Sequence, residues 1–172
     1  SSVRESKWLP FRRSPEQIGP HRTARARAGA VSLGACPEPV PPQRLSVPSG
    51  RPVPVGSSPS VCLWPGTSAR GTDKRWPDES WRILAAALAA EGASVVWGTG
   101  PGDPALPSEG HRVEVRAVGE LLHLIEAVDA FVSPDTGPLH LAARQGVTAL
   151  GIYSATDPAV HGPVGSRAHW ID

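Results

Sequence analysis

From Val61 onward, short apolar runs alternate with segments whose apolar residues recur every three or four positions. Val61–Trp64, Ser94–Trp97, Arg112–Val115, Ala130–Ser133 and Thr148–Tyr153 read as strands, and Asp78–Glu91, Val118–Val128 and Pro138–Gln145 read as helices. Arg167–Asp172 begins one more strand. In the first helix, Trp81, Leu84, Ala85 and Leu88 share one face and are expected in the core, with Asp78 as the cap. Strands that alternate with helices indicate βαβ units, hence an α/β domain with a Rossmann-like, doubly wound parallel sheet over residues 61–172.

The preceding sequence has a different character. Residues 35–60 contain Pro37, Pro39, Pro41, Pro42, Pro48, Pro52, Pro54 and Pro59, too many for a helix or a central strand, and read as a linker. Residues 1–34 are basic and poor in large apolar side chains, with one short Ala/Arg-rich helix expected from His21 to Leu33. Residues 1–60 carry nine Lys/Arg against three acidic residues, whereas 61–172 carry eight against thirteen. The basic front suits an anionic partner or a covered surface. It contains no recognisable nucleic-acid module, and the chain as a whole is nearly neutral, so no nucleic-acid partner is expected. The 172 residues include no Met and open on Ser-Ser-Val-Arg, which suggests a piece of a longer protein. Cys36 and Cys62 lie in unrelated sequence with no CxxC or CxxH neighbour, so reduced thiols and no metal site are expected. No apolar stretch approaches a membrane span and the start lacks a signal-peptide pattern, from which a cytoplasmic protein is expected.

The candidate chemistry lies in the turns after the strands, because ligands of open α/β sheets bind beyond the carboxyl ends of the strands. Ala130–Ser133 runs through Pro134-Asp135-Thr136-Gly137-Pro138 directly into a helix. Asp135 or Thr136 suits the N-cap, Gly137 permits close approach of backbone to a ligand, and Pro138 suits the first helical turn. Such a helix start attracts an anion, and His140, about one turn in, reaches the same place. A well-capped helix without a ligand is the competing reading. The loop Pro65–Pro77 offers Thr67, Ser68 and Lys74 to a phosphate, or is a polar surface loop with Trp76 as its anchor. Gly98-Thr99-Gly100-Pro101-Gly102-Asp103 approaches a dinucleotide fingerprint, but Asp103 takes the place of the third glycine and prolines interrupt the following helix. Asp103 instead suits a ribose hydroxyl, or the stretch is a flexible loop. Thr156 and Asp157, after Tyr153, face a ligand or cap a turn.

In this order, Lys74-Arg75-Trp76-Pro77-Asp78-Glu79-Ser80-Trp81, Gly100-Pro101-Gly102-Asp103, Ser133-Pro134-Asp135-Thr136-Gly137-Pro138-Leu139-His140 and Tyr153-Ser154-Ala155-Thr156-Asp157-Pro158 resemble the C-terminal domain of glycosyltransferase family 9, the ADP-heptose:lipopolysaccharide heptosyltransferases. Ser2–Glu5 and His21–Arg27 resemble the end of the N-terminal domain in the heptosyltransferase I branch. The resemblance implies the C-terminal half of a GT-B glycosyltransferase. Residues 1–34 are then a remnant of the N-terminal acceptor domain, and 61–172 are a C-terminally truncated donor domain.

The same resemblance implies that Lys74 contacts the diphosphate of ADP-heptose and Asp103 the ribose. Asp135, Thr136, Gly137 and His140 contact the diphosphate and the heptose end, with Thr67 and Ser68 as approximate matches. It implies inverting transfer of heptose to a Kdo/lipid A acceptor without a metal or other cofactor, and leaves peripheral contact with the inner membrane open. Arg4, Arg22 and Arg25 are the acceptor-side candidates. The general base is expected in an N-terminal region that this chain lacks. Two other classes compete: a catalytically inactive nucleotide-binding module, and a nucleotide-dependent epimerase or dehydrogenase, which the broken glycine fingerprint disfavours.

Overall fold

Along the first strand the side chains alternate between two buried faces, and that alternation sets the layers of the fold. Val61 and Leu63 pack with Trp81, Trp97, Val132 and Ile152 on one face. Cys62 and Trp64 pack with Phe131, Leu124, Ile125 and Leu139 on the other. A strand covered on both faces needs to be largely apolar, as Val61–Leu63 is. The structure, a computed structural model, describes residues 44–46, 59–69, 71–103 and 110–172. The helix expected over His21–Leu33, the acceptor-side candidates Arg4, Arg22 and Arg25, Cys36, the segments that resemble the heptosyltransferase I branch and most of the proline-rich stretch lie outside the described residues.

The strands are β1 (Ser60–Leu63), β2 (Ser94–Thr99), β3 (His111–Glu114), β4 (Ala130–Pro134), β5 (Thr148–Ile152) and β6 (Ala168–Ile171). They form one sheet in the order β3-β2-β1-β4-β5-β6 with every neighbouring pair parallel. The helices are α1 (Asp78–Ala90), α2 (Val118–Ala127), α3 (Gly137–Gln145) and the single turn α4 (Pro158–His161), with a 3-10 turn at Thr72–Lys74. Each strand and long helix expected from the sequence is present, displaced at its ends by a residue or two. Helix α4 stands where the sequence predicts only a loop. Trp81 of α1 is fully buried and meets Trp76 edge to face at 5.2 Å, while Leu84, Ala85 and Leu88 pack partly buried beside it. Trp76 is therefore the anchor of its loop.

The strand order moves outward from β1 to β3, then returns to the other side of β1 for β4. The chain thus reverses direction between β1 and β4, and the loops after these strands diverge to leave a crevice there.

At the opposite edge of the sheet, α3 ends on Gly146, whose φ of 77° is the left-handed conformation a helix stop requires. The last residue of α3, Gln145, is 2% exposed and grips the backbone of Leu45: its carbonyl accepts from the Leu45 N–H at 2.7 Å and its amide donates to the Leu45 carbonyl at 3.1 Å. One point of the proline-rich stretch is thereby tied to the sheet domain. Asp129 fastens the start of β1 by accepting from the Ser60 N–H and hydroxyl, and these bonds hold its carboxyl below the ordinary range.

Of the expected caps, Asp78 is displaced from the cap position of α1, and Thr136 holds that of α3 without a capping bond. The N-cap position of α1 is Pro77, with Asp78 already in the first turn, where its charge faces the helix dipole but makes no capping hydrogen bond. The N-cap of α3 is Thr136, likewise without a capping bond, because its hydroxyl is 2.7 Å from that of Ser133. Asp135 precedes the cap and is drawn away by partners described below. Asp157 does cap: it precedes Pro158 and accepts from the Ala159 N–H at 2.9 Å. Cys62 is a free, fully buried thiol, and burial pushes its pKa far up.

Candidate functional site

The crevice at the carboxyl ends of β1, β2, β4 and β5 has a volume of about 950 Å³. Thr67, Ser68, Lys74, Asp103, Asp135, Thr136, Gly137 and His140 all line it. Four loops that are distant in sequence therefore supply one site, as a parallel sheet requires of the turns at its carboxyl edge.

Its centre is a carboxylate with three partners. Asp135 Oδ2 accepts from Lys74 Nζ at 2.7 Å and from the Thr156 hydroxyl at 2.9 Å, and Oδ1 lies 3.3 Å from His140 Nε2. Burial would raise this carboxyl, but the hydrogen bonds from Lys74, Thr156 and His140, with the charge of Lys74, hold it below its ordinary value. Asp135 is therefore ionised at neutral pH. Its side chain is only 9% exposed, whereas the Lys74 side chain is 27% exposed and keeps donors free toward the crevice. Asp135 thus serves to fix a cation in place at the start of α3.

Helix α3 starts at this cation. Its first turn holds Gly137 and Pro138, and a methyl group built on Gly137 would meet nothing within 4 Å, so the backbone lies bare to the crevice. The first-turn N–H groups have no carbonyl partner inside the helix and carry its partial positive charge. A lysine, a helix start and the exposed His140 thus converge on one place suited to an anion.

Toward β2 the wall has a second character. Asp103 Oδ2 accepts from the Gly100 N–H at 2.7 Å, and Gly100–Asp103 form a turn after β2. Burial lifts the Asp103 carboxyl above its ordinary value, which the Gly100 N–H and the charge of Arg75 only partly offset. A side chain on Gly66 would run into the Asp103 carboxylate, so glycine is required there for the two loops to meet. Thr67, 5% exposed, accepts from Arg75 Nε at 3.0 Å and retains its own O–H to donate. The ring of Trp64 stacks on Phe131 with centroids 6.1 Å apart and floors the crevice beside Gly100. Toward β5, Tyr153 donates to the His161 carbonyl at 3.0 Å and fixes the loop that brings His161, Gly162 and Val164 to the wall. Burial, then the charge of Asp135, pushes the Tyr153 phenol up, so it stays protonated.

Sequence reasoning missed Trp64, Arg144 and the Val160–Val164 wall. In the sequence Trp64 reads only as the end of a strand. Arg144 follows His140 by four positions, and helical spacing alone puts the two on one face. The loop after α4 has no periodicity to find it by.

Among the described residues, no group of three or more His, Cys, Asp or Glu is placed to hold a metal ion, and no helix is long and apolar enough to cross a membrane.

The family model for glycosyltransferase family 9 (heptosyltransferase) matches residues 38–172. The lipooligosaccharide heptosyltransferase 2 of Haemophilus influenzae is 30% identical over 128 residues, which are 66% of this chain and 36% of that protein. Among solved structures, the E. coli ADP-heptose lps heptosyltransferase II is 27% identical with a TM-score of 0.59 over 68% of this chain and 39% of its own. The E. coli heptosyltransferase WaaC with ADP is 22% identical with a TM-score of 0.58 over 69% of this chain and 39% of that one. The chain therefore spans little more than a third of the length of these proteins.

Proposed function

The chain belongs to glycosyltransferase family 9, and from that premise we propose that its crevice holds ADP-heptose for transfer of the heptose to the Kdo/lipid A inner core of lipopolysaccharide. The observation that carries this reading is the Lys74–Asp135 pair set at the start of α3, in the crevice where the strand order switches sides between β1 and β4. Lys74 and the first-turn N–H groups of α3 take the diphosphate, Asp103 takes the ribose hydroxyls beside Trp64, and Thr136, Gly137 and His140 face the phosphate nearer the sugar. Asp135 acts on the diphosphate through Lys74 rather than by touching it, since two anions in contact repel.

Chemically, an inverting displacement needs a base for the acceptor hydroxyl and stabilisation of the departing diphosphate. This crevice supplies the second. Charge develops on the leaving diphosphate as the anomeric bond breaks, and a fixed ammonium with a helix dipole is already oriented to receive it. No metal has a role in this reading. In this reading Asp135 holds Lys74 and Asp103 holds the ribose, so both carboxylates of the crevice have tasks other than that of the base. That observation favours a second reading for the isolated chain, a nucleotide-binding module that transfers nothing by itself. The base and the acceptor site then lie outside the described residues, and the enzyme works on the cytoplasmic side, meeting the inner membrane only through its lipid-bound acceptor.

Incubation of the purified chain with ADP-heptose and Kdo-lipid A tests both readings by mass. The expected result is donor binding by calorimetry with no mass gain of one heptose. Turnover would place the base within these 172 residues, and binding of NAD in preference to ADP would overturn the donor assignment.

A further inference from the structure

We propose that Arg144 is a further residue that draws a diphosphate to the crevice, beside Lys74, an inference that rests on the nucleotide-sugar reading above. Among the described residues that line the crevice, the fully charged groups are Lys74 and Arg144 against Asp103 and Asp135. These cancel. Lys74 is also spent in part on Asp135 at 2.7 Å, so its charge is screened from anything that approaches. Without Arg144 the charged side chains that line the crevice sum to a formal negative charge, which leaves the helix start, and Arg75 beside Asp103, to offset it.

Arg144 is exposed, and no ion pair engages it among the described residues. It lies one turn beyond His140 on the crevice face of α3. At 1.5 Å per residue its Cα is about 10 Å along the axis from Gly137, and long side chains on a helix lean back toward the N-terminus, which directs its guanidinium to the helix start. A guanidinium also matches two phosphate oxygens at once, which an ammonium does not. His140, the nearer neighbour, is turned to Asp135. The apolar Val160 and Val164 on the adjoining wall reduce the water around the pair and strengthen the attraction.

Calorimetry with ADP, AMP and adenosine on the parent chain, Arg144→Ala, Arg144→Lys and Lys74→Ala tests the proposal. Because Arg144 is exposed, its variants are expected to keep the parent's circular dichroism and unfolding midpoint. Arg144→Ala should weaken ADP about tenfold, leave adenosine unchanged and make ADP binding less sensitive to salt, with Arg144→Lys between the two. Unchanged ADP affinity and salt dependence in Arg144→Ala, with Lys74→Ala weakened, would overturn the proposal and leave the nucleotide-sugar reading standing. A parent chain that does not bind ADP would overturn the reading itself.

Discussion

Replacing Lys74 by alanine removes one cation from the crevice and bares the Asp135 carboxylate that it held at 2.7 Å. The lost charge-assisted hydrogen bond to a phosphate is worth about 1.5–3 kcal/mol. The bared carboxylate adds a repulsion: two unit charges about 5 Å apart at an effective dielectric of about 20 interact by roughly 3 kcal/mol, an upper bound for this half-open site. ADP should therefore bind about a hundredfold more weakly to Lys74→Ala. The same reasoning fixes the sign of a second substitution. In the Lys74→Ala background, Asp135→Asn removes the repelling charge and keeps an oxygen to accept from Thr156, so affinity should rise again by about fivefold to tenfold. Titration calorimetry on the parent, both single variants and the double variant, at low and moderate salt, gives the cycle. A double variant that binds ADP as weakly as Lys74→Ala, or more weakly, would refute the view that Asp135 acts through Lys74.

Gly66→Ala should cost about 1–3 kcal/mol in chemical unfolding and weaken adenosine and ADP alike, because the added methyl displaces the Asp103 carboxylate. The carboxyl of Asp135 is held below its unfolded value near 3.9, so its stabilisation is complete above that pH and is lost as the pH falls through the folded value. Thermal unfolding of Asp135→Asn should accordingly show a flatter decline below about pH 4 than the parent. Gln145→Ala should lower stability by about 1–3 kcal/mol and accelerate amide exchange at Leu45, since both of its bonds to that residue are lost; unchanged exchange at Leu45 would show that the segment is held by other contacts.

The inner strands β1, β2 and β4 were legible as mainly apolar runs that pack on both faces, the exposed edge strand β3, His-Arg-Val-Glu, much less so, and α1 was legible because Trp81, Leu84, Ala85 and Leu88 recur at helical spacing. The crevice was legible for a related reason: in a parallel sheet every turn after a strand reaches the same edge, so Lys74, Asp103 and Asp135 could be brought together without knowing the strand order. The role of Asp135 was not legible. Its position before α3 reads locally as a cap, and only a partner 61 residues away, Lys74, turns it from the helix to the cation. Asp78 misleads in the same way, since Pro77 takes the cap position with no side chain to donate or accept. The single turn α4 is too short for periodicity, although Asp157-Pro158 is a sound start signal. The grip of Gln145 on Leu45 spans 100 residues and leaves no trace in local pattern.

A crystal structure of the chain soaked with ADP-heptose tests the central claim most directly. The account predicts the diphosphate at the start of α3, within hydrogen-bond distance of Lys74 Nζ and the Gly137 N–H, with the ribose hydroxyls on Asp103 and the Lys74–Asp135 pair intact. A nucleotide bound elsewhere, or one whose ribose lies by Val164 with Asp103 left uncontacted, would contradict it.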